Sequence, residues 1–489
     1  MARLPQVTIV EVDGRIGSMA TAAGDIACIV GPADSGPFNT PMSLARQRDV
    51  VEVFKSGPLV EFASYLIENS GKRVVCVRSK TTHPGNPGVL ESKSENGDPV
   101  DFDPAFTPGS SANDQYDLLV EFVRKGEVGV DGITYCWSLD GGRTMSPETA
   151  LGDSDMIEIP DSGGIVITLD ITKNVLAGDT ITSRTVAPRE HATDLDDAFT
   201  SIRLSDLLWD TIFLCNTVTE SEFEQLDKFM TRLLRRRRYR KFMVNARDQK
   251  LSEKELAWEE SLISKFKSSE SVRGALCAGY CTFASPISGR RYRRPASWAV
   301  ALKSVQLENP RKTDMAEITP GRLRGVSIDG EHNEDKWADV DDAQGLDDAR
   351  FLTLRTVEGF EGTYVTRPRI FKPAGSDYAW WQYRALANQI SHVINVDMTR
   401  RLRAPTKVDP KTGFIFEGDA LNIETGVTAA VERLVGPSQD VSSHRFVLSR
   451  TDKILSDPII HGQARFVPLA YPDEFVIDLM FENPAVAQG

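Results

Sequence analysis

The sequence predicts an α/β fold of mixed α+β character, an α/β core with a β-rich inserted domain and extended arms at both ends. Three observations carry that expectation. Between about 207 and 284, apolar runs bounded by turn residues alternate with helix-period segments. From about 96 to 200, short β patterns separated by Gly, Asp and Asn take over. At both ends, polar and apolar residues alternate with the period of two that belongs to a strand. At 489 residues the chain exceeds the roughly 250–300 at which a single core stops growing, so two or three domains are expected.

Residues 1–24 read as an amino-terminal arm and linker. Thr8, Val10 and Val12 alternate with Val7, Ile9 and Glu11, and the small-residue stretch GSMATAAGD follows. Residues 25–95 with 205–357 read as one discontinuous α/β domain. IACIVG is a buried-strand pattern, helical segments flank Gly57 and Pro58, and KRVVCVR supplies the next strand. The stretch 96–204 is the β-rich insertion, a small sandwich or barrel built from ITYCWSLDGG, MIEIP, GIVITLDI and DTITSRTV. One Cys beside Trp137 gives only a loose analogy to immunoglobulin-like domains, since the second core cysteine is missing.

The core resumes with TIFLCN as a strand. Thr219-x-x-Glu222 is a capping box, and Phe223, Leu226, Phe229 or Met230, and Leu233 or Leu234 mark the buried face of the helix it opens. FMVNA is a strand, Ser252-x-x-Glu255 opens another helix, and ALCAGYCTFA reads as a third strand, giving βαβαβ. Residues 306–357 are loop-rich and acidic. Residues 358–489 read as a carboxyl-terminal α/β domain, with a strand in GTYVTRPRIF, a long helix from about Asp377 to Arg401, and a terminal strand arm. In that arm Phe475, Ile477, Leu479 and Phe481 share one face between Pro472 and Pro484. Alternation by itself fits both an ordinary strand of the local sheet and one lent to another molecule.

Composition narrows function. Hydrophobic content of 40% and charged content of 26% belong to a globular protein, and no stretch approaches the roughly 18 apolar residues that cross a bilayer. The amino end lacks the continuous apolar block of a signal peptide, so neither a leader nor a membrane anchor is expected. A formal net charge of -13 argues against direct nucleic-acid binding by the whole chain. Cysteines 28, 76, 136, 215, 277 and 281 are scattered and read as small buried hydrophobes of a reducing compartment, with no second half-site to make Cys277 and Cys281 a zinc centre.

No motif supplies catalytic, cofactor or metal residues. Ser70-Gly71-Lys72 lacks the Ser or Thr of a P-loop, since Arg73 follows. The run Arg235 to Lys241 ends a helix whose first turn holds Glu220, Glu222 and Glu224, so it suits the helix dipole better than a phosphate backbone. Asp339, Asp341, Asp342, Asp347 and Asp348 miss the EF-hand spacing and read as a solvated acidic loop.

Taken in order, several segments resemble the contractile tail sheath family of phages and related injection machines. The likeness covers about 1–90 and 205–489. It lies in GPADSGP after IACIVG, in RRPASWAVA followed by PGRLRGV, in ALANQISHVINVDMTRRLRA, and in the terminal RFVPLAYPDEFVIDLMFE. The resemblance implies a non-enzymatic structural subunit that polymerises with itself around an inner tail tube and meets baseplate and tail terminator proteins. It implies a virion tail assembled in the bacterial host cytoplasm, with no cofactor. It makes Val7, Thr8, Ile9, Val10 and Val12 an intersubunit strand, and Phe475, Ile477, Leu479 and Phe481 a second one or part of its receiving sheet. It turns the insertion outward, and it makes Arg400, Arg401 and Arg403 candidates for facing the tube. The alternatives are a baseplate or adhesin component that uses the insertion to bind a surface, and an α/β enzyme without a known motif.

Overall fold

Apolar runs without polar alternation become the centre of a doubly covered sheet. The computed structural model describes residues 26–94, 100–250, 253–319, 321–323, 325–327, 344–372, 375–472 and 477. Its central sheet orders Gly274–Cys277, Lys241–Ala246, Thr211–Val218, Ala27–Gly31 and Val74–Arg78 as parallel neighbours, with Met42–Leu44 antiparallel at one edge. Parallel strands need crossover connections, and here helices supply them and bury both faces. Ile29, Cys76, Phe213 and Met243 pack on the side of helices Gln47–Phe54, Pro58–Ser70 and Ala296–Gln306. Cys28, Val75, Ile212 and Phe242 pack on the other side, against helices Ala192–Leu204, Glu220–Leu234 and Glu255–Lys265.

Local chemistry sets the helix ends. Gly57 adopts φ +107° just before Pro58 opens its helix, a conformation that favours glycine, and proline suits the first helical position. The Thr219 box forms as expected: the Glu222 carboxylate accepts from Thr219 N at 2.7 Å, while the Thr219 hydroxyl accepts from Glu222 N. Phe223, Leu226, Phe229, Met230 and Leu233 are all buried. A second box, unread in the sequence, caps the preceding helix through His191 and Asp194.

Other expectations need correction. ALCAGYCTFA is two strands: Gly274–Cys277 stays in the central sheet, Gly279 turns the chain at φ +88°, and Tyr280–Ala284 pairs antiparallel with Arg291–Pro295. The next helix starts at Glu255 with Lys254 as an N-cap that makes no side-chain cap bond, and Ser252 lies outside the described residues. The basic run is divided: Arg235 and Arg236 are exposed at the helix end, whereas Lys241 is buried over Trp381. Asp347 is buried and bonded to Arg367 at 2.9 Å, so it is no solvated loop acid. Asp348 is exposed, and Asp339, Asp341 and Asp342 lie outside the described residues. Lys72 donates to the carbonyls of Val305 and Leu307, which commits the lysine of the Ser-Gly-Lys run to the core. Five cysteines are buried and Cys136 half-buried, all as free thiols.

The strands between 91 and 184 form a five-stranded, a three-stranded and a two-stranded antiparallel sheet around a core of their own, including Phe102, Phe122, Trp137 and Ile167. Two polar connections tie this unit and the segment after it to the rest of the chain, Glu190 at the central sheet and Asp114 at the neighbouring strand Arg291–Pro295. Glu190 is buried, accepting from Ser79 Oγ and Asn216 Nδ2 at 2.7 Å each, and burial raises its pKa. Arg294 Nη1 and Nη2 donate to both oxygens of Asp114 at 2.6 Å, with each side chain no more than 3% exposed. Breaking such a pair leaves a buried charge uncompensated, at a cost of about 3–5 kcal/mol.

Candidate assembly surface

The carboxyl-terminal elements build on the helix Trp381–Arg401, which starts four residues later than the sequence suggests. Its first half is buried; Arg384 is fully buried and stacks on Tyr378. The helix Glu417–Val435 packs along it through Val427, Val431 and Leu434 against Leu386, Ile390 and Ile394. On that pair lies an antiparallel hairpin, Val441–Leu448 and Gly462–Pro468. Two ion-pair groups hold it in place. Arg311 Nε donates to the buried Asp440 at 2.7 Å, just before the first strand. Arg450 donates to Glu417 and to Glu424, holding both carboxyls below their ordinary range.

Register decides the two faces of the hairpin. His444, Phe446 and Leu448 lie opposite Phe466, Ala464 and Gly462, and Phe446 and Phe466 pack on the helices. On the other face Arg445 lies opposite Arg465, Val447 opposite Gln463, and Ser443 opposite Val467. Val467 is 48% exposed. Among the described residues this sheet has two strands only, so each presents one outer edge of backbone donors and acceptors without a ladder partner. Isolated two-stranded sheets are marginal in water, so the helices beneath supply its stability.

Past the hairpin the chain is pinned. Tyr383 Oη donates to the Leu469 carbonyl at 2.8 Å, and Tyr471 Oη donates to the Lys312 carbonyl at 2.7 Å. Beyond this point Ile477 is 81% exposed and belongs to no strand, while Phe475, Leu479 and Phe481 lie outside the described residues, as do Val7, Thr8, Ile9, Val10 and Val12. The candidate arginines separate. Arg400 and Arg403 are exposed at the end of the long helix, but Arg401 donates to Asp397 at 2.9 Å and lies against Gly426 of the neighbouring helix. Sequence reading missed Arg445 and Arg465. Each stands within an apolar strand pattern, RFVL and ARFVP, but only the register brings them together.

Among the described residues no three His, Cys, Asp or Glu side chains are grouped to hold a metal ion, and no helix is long and apolar enough to cross a membrane. No protein-family model and no curated protein matches the sequence. Solved structures do. The helical sheath of the anti-feeding prophage in its contracted state is similar over 99% of this chain and all of that one, with TM-score 0.54 and 10% identity. This chain has the fold of a tail sheath protein. Sheath tail proteins from Listeria innocua and Desulfitobacterium hafniense match over 93% and 91% of the chain and 97% of their own, at 12% and 9% identity, both with TM-score 0.45.

Proposed function

We propose that the chain is a non-enzymatic subunit of a contractile phage-like tail sheath. It polymerises around an inner tube by exchanging terminal strands and contracts to drive that tube through a target envelope. The observation that carries this reading is the terminal hairpin, two-stranded with both edges open among the described residues, on a chain whose fold is that of a sheath protein. Edge strands accept strands from other chains, with backbone bonds giving affinity and alternate side chains giving specificity. The segments Val7–Val12 and Phe475–Phe481 have the alternation such strands need.

Magnitudes explain why the arms work as a mesh. Burying about four apolar side chains yields about 6–12 kcal/mol at 1.5–3 each. Ordering about six residues costs about 6–12 kcal/mol in backbone entropy. A single arm therefore nearly balances, and linked copies hold because each bound arm raises the effective concentration of the next. Baseplate and terminator proteins set the ends of the polymer, the insertion faces outward, and the particle is a virion tail assembled in the host cytoplasm.

Negative-stain electron microscopy of the intact chain beside a truncation lacking residues 1–13 tests this. Hollow cylinders from the intact chain and dispersed particles from the truncation are expected. Cylinders from both would remove the amino-terminal arm from the account, and discrete particles from both, even with tube protein added, would favour a baseplate or adhesin role.

A further inference from the structure

We propose that the β-rich unit is docked through a switch at Arg294: Asp114 of that unit and Glu61 of the helix Pro58–Ser70 compete for one guanidinium, so a neutral Glu61 holds the unit in place and a charged one loosens it.

The joint is polar and closed. Arg294 Nη1 and Nη2 donate to the two oxygens of Asp114, and Nη1 also donates to the Gln115 carbonyl at 3.2 Å. Around this pair Asn113 Nδ2 donates to Asp34 at 2.9 Å, Arg291 N to Asp140 at 3.2 Å, and Arg290 Nη1 to Asp161 at 3.4 Å. The rings of Tyr116 and Tyr292 meet across it with centroids 5.5 Å apart. Each of these four carboxylates is bonded on both sides of the joint or within it. Glu61 differs, because its Oε2 is buried without a hydrogen-bond partner among the described residues. Arg294 Nε, the nitrogen of that guanidinium not bonded to Asp114, is buried and unpartnered as well. A buried donor and a buried acceptor left open in one cluster mark a bond that a second arrangement of the joint can make.

The groups that face Glu61 come from every element around it. Arg294 and Tyr292 belong to the strand Arg291–Pro295, Ser285 and Arg290 to the turn before it, and Asp114 and Tyr116 to the β-rich unit. Burial outweighs the opposing field of Arg294 and keeps Glu61 uncharged up to about pH 7. The direction of the switch follows from which body owns each group. The Pro58–Ser70 helix shares a core with the helix Ala296–Gln306 that continues directly from Arg294 and Pro295, whereas Asp114 lies in the unit beyond the joint. With Glu61 neutral, Asp114 is the only carboxylate bonded to the guanidinium, and the pair spans the joint. An ionised Glu61 offers Arg294 a carboxylate on its own side, so the buried charge stays compensated when Asp114 moves away. Docking therefore carries a proton that release gives up, and it is tightest in acid and weakest above about pH 7.

Hydrogen exchange of the full chain, read by mass spectrometry at single amides and corrected for the intrinsic effect of pH, tests this. The Arg291 amide is the reporter, because its bond to Asp140 crosses the joint. In the wild type it should open ~10-fold more readily at pH 8 than at pH 6, as expected for a group at about 7 when docked and near 4.5 when released. The Ile29 amide of the central sheet should not change. Glu61→Gln should hold the Arg291 amide equally protected at both pH values, and Glu61→Met should do the same if the Gln variant does not fold by circular dichroism. Asp114→Asn should open it at both. Equal protection of the wild type at pH 6 and pH 8 overturns the switch. So does a pH effect that persists in Glu61→Gln and Glu61→Met, which would assign the titration to another group, or one of equal size at Ile29, which would make it global unfolding.

Discussion

Glu61 lies in the first turn of the Pro58–Ser70 helix with Oε2 buried and unbonded, close to the Arg294–Asp114 pair. Burial raises its pKa to about 7, Arg294 opposes the rise and Asp114 adds to it; the Ser285 hydrogen bond and Arg290 also oppose it. The folded value exceeds the unfolded one near 4.5, so the folded chain keeps a proton that the unfolded chain releases. Its contribution is therefore full below about pH 4.5, declines toward pH 7, and is flat above, a change on the order of 3 kcal/mol. Glu61→Gln removes the charge, so urea midpoints should favour the variant more at pH 8 than at pH 5. Parallel midpoints across that range would show that Glu61 does not titrate in the folded chain. Sequence could show Glu61 as the lone acid in PLVEFASYL. It could not show the pair beside it, because Asp114 and Arg294 stand 180 residues apart and nothing local couples them.

At the level of elements, signals written in neighbouring residues were legible and those written in pairing were not. Thr219-x-x-Glu222 and the 3.6-residue spacing of Phe223, Leu226 and Met230 named a helix, because cap and face are both local. The turn at Gly279 was hidden in ALCAGYCTFA, where apolar residues run straight through the break between two sheets. Likewise, RFVL and ARFVP are each apolar runs around an arginine in the sequence, but the Arg445–Arg465 opposition exists only in their register. The end of the long helix shows the same division. Arg401 serves the fold through Asp397, whereas Arg400 and Arg403 are exposed. Arg401→Gln should cost the monomer about 0.3–0.5 kcal/mol, the worth of an i,i+4 pair. R400Q/R403Q should leave monomer stability within about 0.5 kcal/mol of wild type and weaken co-sedimentation with tube protein. Unchanged co-sedimentation would remove this helix end from the tube-facing surface.

For the whole molecule, the question is where the work of contraction would be stored. The central sheet is covered on both faces, Glu190 bonds at its strands, and the Arg294–Asp114 pair joins the β-rich unit to the strand Arg291–Pro295, so these parts suit movement as rigid bodies. Under the proposed strand exchange, freedom resides in the segments that would link one copy to the next. Two packings of the same bodies can differ in free energy and release that difference when a trigger lets them exchange, with no chemical step at each subunit. Lys72 of the Ser-Gly-Lys run, which already lacks the Ser or Thr of a P-loop, donates to the Val305 and Leu307 carbonyls. An extended sheath assembled on tubes from purified proteins should therefore contract on mild heating after apyrase has destroyed residual nucleotide. Length and diameter by electron microscopy should change as much as in untreated samples. Contraction that stops with apyrase and resumes with ATP would place the energy source in nucleotide hydrolysis and remove stored packing energy as the driver.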